Sequence, residues 1–237
     1  MVPGVKTVKA RLVAKGYQDP DLKGGFVETS GSVSLQSSHL QVIFRAALGG
    51  WQLWSIDIKN AFLQADGFGR DVLIQSPPEW LPGDSHRIWK LDAPAYGLND
   101  APVAFHRSLT RYLVNATDSL KAVDLRVETS KFDPCLLFVF QKNSKAVGVI
   151  TTRIDDLLGC GGTDVLPRME KFSSIRFGQV KVQKDDFAHI GMEVLQGEDG
   201  SVEITQKTFT DSLCPIATSP SLWRDRNRAL TDEELQT

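Results

Sequence analysis

The stretch that most constrains the fold is Ile150-Thr-Thr-Arg-Ile-Asp-Asp-Leu-Leu-Gly159, where two apolar runs meet at the adjacent acids Asp155 and Asp156. The Val, Ile, Thr and Leu on either side read as two strands of a hairpin, with the acids at or beside its tight turn. Neighbouring side chains within a strand point to opposite faces, so consecutive carboxylates converge on one ion only where the chain turns. Asp-Asp is also a common turn dipeptide, and taken alone the pair reads as a solvated turn. It is not alone. Upstream, Leu53-Trp-Ser-Ile-Asp-Ile-Lys-Asn-Ala-Phe-Leu63 places Asp57 near the end of a second apolar strand, just before a helix-like Asn60-Ala-Phe-Leu63. A carboxylate between Ile56 and Ile58 is costly unless paired or metal-bound. One acid on a strand and an acid pair on a remote hairpin are the donor set of a carboxylate-bridged site for two divalent ions, which such sites hold roughly 3.5–4 Å apart. Magnesium, with its octahedral oxygen geometry, is usually bound by one or two carboxylates plus substrate phosphates.

The 237 residues, 41% of them hydrophobic, suffice for one domain with a full core or two small subdomains. Lysine and arginine number 27 against 29 acids, so a polyanionic partner would have to be met by local patches rather than by net charge. One candidate patch is Met1 to Gln18, which carries Lys6, Lys9, Arg11 and Lys15 and no acid; an ordinary solvated edge reads the same way. Cys135, Cys160 and Cys214 have no C-x-x-C spacing and are odd in number, which fits a reducing compartment and argues against a disulfide framework or a zinc site. His39, His86, His106 and His189 show no metal-ligand spacing. No apolar run approaches the roughly 20 residues of a membrane span, and the N-terminus lacks the apolar core of a signal peptide.

Along the chain, Lys9 and Arg11 alternate with Ala10 and Leu12, which puts both cations on one strand face. Gly24 to Ser38 reads as a loop. A helix follows up to Gly49-Gly50, with Leu40, Ile43, Phe44, Ala47 and Leu48 as its core-facing stripe and Ser38-His-Leu-Gln41 as a capping box. Val72 to Gln75 and Arg87 to Leu91 read as paired strands joined by the Pro-rich Pro77 to Gly83. Past Tyr96-Gly97 a helix is expected, with Asp100 as cap, Pro102 in the first turn and an apolar face of Phe105, Leu109, Tyr112 and Leu113. Asn115 to Asp133 reads as an irregular, exposed excursion. Cys135 to Gln141 and Ala146 to Ile154 make two strands. Asp164 caps a helix through Val165, Met169 and Phe172, and Phe187 to Leu195 pairs with Ser201 to Thr205 across Gly197-Glu-Asp-Gly200.

Four of these stretches, Lys9 to Tyr17, Ile56 to Leu63, Tyr96 to Pro102 and Ile154 to Asp156, stand in an order that resembles the reverse transcriptases of copia-type LTR retrotransposons. The resemblance runs from about Lys9 to the C-terminus. It implies an α+β right-hand polymerase fold of palm and fingers, with an antiparallel palm sheet backed by helices and the thumb largely absent. Residues 1–210 would be the fingers and palm, and 211–237 the start of a connection toward an RNase H region, with both ends of the chain falling inside the family's domain plan.

The activity implied is RNA-directed DNA polymerisation, a two-metal nucleotidyl transfer from a dNTP to a primer 3′-hydroxyl. Asp57 and Asp155 would bridge two Mg2+ ions, with Mn2+ as a substitute, Asp156 would support the site, and Ile58 would lend its backbone carbonyl. Lys9 and Arg11 are implied triphosphate contacts. Phe62 would lie beneath the sugar of the incoming nucleotide, where a large ring collides with a 2′-hydroxyl. Tyr96 and Gly97 would face the nucleotide, while Leu98, Asn99, Pro102 and Arg153 would lie along the template-primer. The implied partners are an RNA or DNA template-primer, dNTPs, and the integrase and RNase H domains of a parent polyprotein, in a cytoplasmic virus-like particle or the nucleus and with no membrane. Two positions depart from the family pattern: Asn99 replaces a usual lysine, and Arg153 replaces a usual aromatic residue. The arginine could meet a primer phosphate, or pair with an aspartate and block the metal. Three readings follow: an active polymerase domain, a catalytically silent copy that keeps the fold, and a different palm-fold nucleotidyltransferase or cyclase, which would have no need of Tyr96 to Pro102.

Overall fold

The structure, a computed structural model, describes residues 11–29, 33–67, 69–76, 87–115, 123–141 and 145–214. In chain order its elements are α1 (Pro20–Lys23), α2 (Gln36–Gly49), β1 (Gln52–Ile58), β2 (Leu73–Gln75), β3 (Ile88–Lys90), α3 (Ala101–Asn115), β4 (Arg126–Thr129), β5 (Leu136–Phe140), β6 (Ala146–Arg153), β7 (Asp156–Gly161), α4 (Val165–Phe177), β8 (Val180–Lys184), β9 (Asp186–His189), β10 (Met192–Gln196), β11 (Val202–Thr205) and α5 (Lys207–Ser212). Short 3-10 turns occupy Gly16–Gln18 and Ala61–Gln64.

Six strands in the order β4-β5-β6-β7-β1-β8 form an antiparallel sheet, with β9 to β11 as a separate three-stranded sheet and β2-β3 as a ribbon. The period-2 alternation of a strand sends successive residues to opposite faces, and here both faces are apolar. Trp54, Ile56, Leu137, Ile150 and Leu157 pack against Phe105 and Leu109 of α3 and Met169 and Phe172 of α4. Leu53, Leu136, Val149 and Leu158 meet Val42 and Ala46 of α2 together with Phe187 and Val194 of the smaller sheet. Strand β1, between β7 and β8, is therefore buried on both sides, which anchors the residues at its end. Gly159 is required for this packing: a Cβ there would lie 2.2 Å from the ring of Trp54 on the neighbouring strand. The outcome is the expected α+β arrangement, an antiparallel sheet backed by helices. Among the described residues no helix is long and apolar enough to cross a membrane.

Several expectations are corrected. Helix α2 ends at Gly50 as expected (φ 58°), but it buries Ser38, His39, Val42, Ile43 and Ala46 and leaves Leu40, Phe44 and Leu48 exposed. The cause is Asp133. Its buried carboxylate accepts from the Leu35 amide (3.1 Å), the Ser38 hydroxyl and the Cys135 amide (2.8 Å), so the helix presents its polar first turn inward. Ser38 thus lies inside the helix, and an acid remote in sequence supplies the acceptor that a local capping box would have supplied.

Asp133 itself falls in the segment read as an exposed excursion, which instead contributes the edge strand β4 and buries Val123, Leu125 and Val127. Strand β8, unforeseen in the sequence, pairs with β1, and Phe187 to Leu195 splits at Ile190-Gly191 (φ 52° and 74°) into β9 and β10. Asp100 does not cap α3: one carboxylate oxygen accepts from Arg70 at 2.9 Å and the other is buried without a partner. Asp164 stands at the start of α4 without a side-chain capping bond.

Candidate functional site

Strand β6 ends at Arg153 and β7 begins at Asp156, so Ile154 and Asp155 form a two-residue turn. Ile154 adopts φ 57°, a left-handed conformation that a β-branched residue takes only when its surroundings force it, and such strain collects at functional sites. The register then places the acids. Asp156 pairs with Arg153 on one side and with Asp57 on the other, and Asp57 pairs in turn with Lys181 of β8. Arg153, Asp156, Asp57 and Lys181 thus form one row across four strands. Directly opposed residues have Cβ atoms about 4.5–5.5 Å apart, so Asp57 and Asp156 are immediate neighbours, with Asp155 at the adjoining turn.

Burial, then the charges of Asp155 and Asp57, push the Asp156 carboxyl up to about 6, while Arg153 opposes the shift. Burial and Asp57 also raise Asp155, against the opposing charge of Arg11. Burial and mutual repulsion therefore both disfavour full ionisation of Asp155 and Asp156. An all-carboxylate donor set suits a hard divalent cation. Among the described residues, however, no group of three His, Cys, Asp or Glu converges into a ready-made cage.

Beside the acids lies an aromatic platform. The Arg11 guanidinium sits 4.4 Å over the Tyr96 ring, Tyr96 lies 5.0 Å from Phe62, and Phe62 meets Phe105 edge-on at 6.4 Å. The segment carrying Arg11, expected as a strand, forms none over residues 11–15 and is docked here by the Ala14 amide, which donates to the Tyr96 carbonyl at 2.7 Å. Gly97 (φ 90°) permits that approach, since a Cβ would lie 2.1 Å from the Ala14 carbonyl oxygen. Asn99 is exposed, with its side-chain oxygen beside Gly16, and Pro102 is half-buried in the first turn of α3.

One expected contact needs revising. Leu98 was expected along the template-primer, but it is buried with Val72, Ala95 and Ala101, so its side chain supports the turn from behind. Arg153 is exposed and stands opposite Asp156, whose carboxyl its charge lowers, with no ion pair or hydrogen bond to an acid among the described residues. Ile58 has its side chain in the core and pairs with Val180, leaving only its backbone available. Lys9 lies outside the described residues.

Sequence reading missed Lys181, although the alternation Val180-Lys-Val182 was a legible strand signal, and it missed Arg70, which no local pattern marks. Three histidines, His39, His106 and His189, are buried. His189 is held near 4 by burial and then by the charges of His39 and Arg153; it reaches Ser55 at 3.4 Å, and His106 reaches Thr152 and Cys135 at 3.3 Å.

A family model described as "Reverse transcriptase (RNA-dependent DNA polymerase)" matches residues 4–216. The chain is 28% identical over 240 residues to the retrovirus-related Pol polyproteins from transposons RE2 and RE1 of Arabidopsis thaliana, covering 94% of this chain and 15% of each relative. It is also 28% identical over 156 residues to the Pol polyprotein from transposon TNT 1-94 of Nicotiana tabacum, covering 65% of this chain and 11% of the relative. The chain thus spans about 15% of the length of the first two curated relatives. Among solved structures, a telomerase from Candida albicans with a fragment of telomeric RNA overlays 74% of this chain and 36% of that one, at 9% identity and a TM-score of 0.37, too slight an overlap to bear on the fold.

Proposed function

The chain belongs to the reverse transcriptase (RNA-dependent DNA polymerase) family, among relatives from copia-type retrotransposons, and from that premise we propose that it is the DNA-polymerising domain of such a Pol polyprotein. The observation that carries the proposal is the pairing of Asp57 opposite Asp156 at the strained Asp155 turn, which unites acids far apart in sequence. Asp57 and Asp155 would hold paired magnesium or manganese ions, with Asp156 and the Ile58 carbonyl in support. When bound, those ions favour deprotonation of a primer 3′-hydroxyl and neutralise the leaving pyrophosphate. Arg11 binds the triphosphate of the incoming nucleotide, and Lys9 is the second candidate from the same segment. Tyr96 and Phe62 form the floor beneath base and sugar, and the Phe62 ring fills the space a ribose 2′-hydroxyl would need. Arg153, exposed at the end of β6, would meet a primer phosphate. Gly97, Asn99 and Pro102 present the turn toward the template-primer, which is RNA or DNA. Residues 1–210 serve as fingers and palm, 211–237 lead toward an RNase H region, and the integrase and RNase H domains of the polyprotein are the covalent neighbours.

The test is direct. Purified protein given poly(rA)/oligo(dT), dTTP and magnesium extends the primer, and Asp155→Asn abolishes extension. A catalytically silent copy is the second reading, resting on Asn99 and Arg153. Template-primer binding by the unaltered protein without extension would establish that reading in place of the first.

A further inference from the structure

Arg70 lies in the bend before β2, away from the acids, yet its guanidinium holds three carboxylates. Nη2 reaches Asp19 at 2.6 Å, Nη1 reaches Asp21 at 3.0 Å, and Nε and Nη2 each reach Asp100 at 2.9 Å. Arg70 is 20% exposed, Asp19 11% and Asp100 15%, so the cluster is largely withdrawn from water. Burial raises the Asp19 carboxyl, but the bonds from Arg70 and the Asp21 amide outweigh it and hold the group below its ordinary range.

The three acids come from two pieces of chain that Arg70 joins. Asp19 and Asp21 end the segment that carries Arg11. Asp100 ends the turn that begins at Tyr96. Between them run the Ala14 to Tyr96 hydrogen bond and the close approach of Gly16, where a Cβ would lie 2.2 Å from the Gly97 carbonyl oxygen. Without Arg70 the link would be lost and three partly buried like charges would face one another. A lysine could not restore it, because a point charge does not reproduce the planar fork that serves several carboxylates at once.

We propose that Arg70 is a positioning residue for nucleotide binding: by clamping Asp19 and Asp21 to Asp100 it locks the N-terminal segment onto the Tyr96 turn and sets Arg11 over the aromatic platform beside the acids. The inference rests on the polymerase reading. Arg70 itself touches no reacting atom and acts through Arg11.

The experiment measures dTTP affinity for the magnesium-loaded protein and template-primer complex, with template-primer affinity and thermal midpoint recorded alongside. Arg70→Met raises the dTTP Kd about tenfold, equivalent to about 1.4 kcal/mol of binding free energy, and leaves template-primer affinity unchanged. Asp21→Asn, which removes only the half-exposed arm, shifts the dTTP Kd in the same direction by less. Combining Arg70→Met with Arg11→Ala binds dTTP no more weakly than Arg11→Ala alone, because both act through one cation. A folded Arg70→Met protein with normal dTTP affinity overturns the proposal, as do losses that multiply in the double variant. Should Arg70→Met not fold, an unchanged dTTP Kd in Asp21→Asn overturns it equally. Unaltered protein that binds dTTP but does not extend primer sinks the polymerase reading while the same Kd values still decide the clamp. Protein that binds no dTTP sinks both.

Discussion

Asp156 is held well above the ordinary carboxylate range by burial and by the charges of Asp155 and Asp57. Its folded-state value of about 6 lies above the ordinary aspartate value of about 3.9. Between those values the folded chain holds the proton more often than the unfolded chain does, so the free energy of unfolding falls as pH rises through that window. Neutralising the residue removes the loss. Asp156→Asn should therefore stabilise the metal-free domain at pH 7 by about 1–2 kcal/mol, after allowance for solvent screening. Urea titrations of both proteins in chelator at pH 4.5 and 7 check this: the gap should open at pH 7 and close at 4.5, and a less stable variant at pH 7 would contradict it. Magnesium should raise the unaltered protein's stability at pH 7, and Asp156→Asn should blunt the gain. Phe62 makes the second residue-level prediction. Its ring is fixed between Tyr96 and Phe105, so Phe62→Ala should open the sugar site and raise incorporation of rTTP relative to dTTP, read as the ratio of kcat/KM values.

At the scale of elements, helix α2 shows where periodicity stops being informative. Its sequence carries two overlapping apolar stripes. Leu40, Phe44 and Leu48 sit at helical spacing and are exposed, whereas Val42, Ile43 and Ala46 are buried beside Ser38 and His39. Val42→Ala should cost on the order of 2 kcal/mol, while Phe44→Ser should stay within about 0.5 kcal/mol of the unaltered protein. Equal losses in thermal unfolding would mean the helix is rotated from the position described. The β6-β7 turn yields the other prediction at this scale. Ile154 at φ 57° costs roughly 1–2 kcal/mol relative to glycine, so Ile154→Gly should raise the thermal midpoint. The freer turn would hold Asp155 less firmly, and primer extension should fall even as stability rises.

At the scale of the whole molecule, two buried systems titrate against each other. His189 is depressed to about 4 from an ordinary 6.5, so the unfolded chain binds its proton more readily, and stability is lost as pH falls from about 6.5 toward 4. Asp156 has the opposite slope over much of that range. The metal-free protein should consequently show a shallow pH dependence of stability between about 4 and 6, and Asp156→Asn should expose the histidine slope as a steeper rise with pH.

The acid strands, the hairpin, the β2-β3 pair and the aromatic face of α3 were legible because each is specified by neighbouring residues: alternation, turn chemistry and helical spacing act over a few positions. The same locality made Asp57 and the Asp155 pair recognisable as candidates, and the ordered stretches Lys9 to Tyr17 and Tyr96 to Pro102 set them in a family. Only the tertiary structure decided that Asp133 turns α2, that β4 and β8 complete the sheet, that Lys181 joins the acid row, that Leu98 faces inward and that Arg70 ties Asp19 and Asp21 to Asp100. The reason is physical. A side chain's period is set by its own backbone, whereas the carboxylate it meets and the face it buries depend on segments brought beside it by folding.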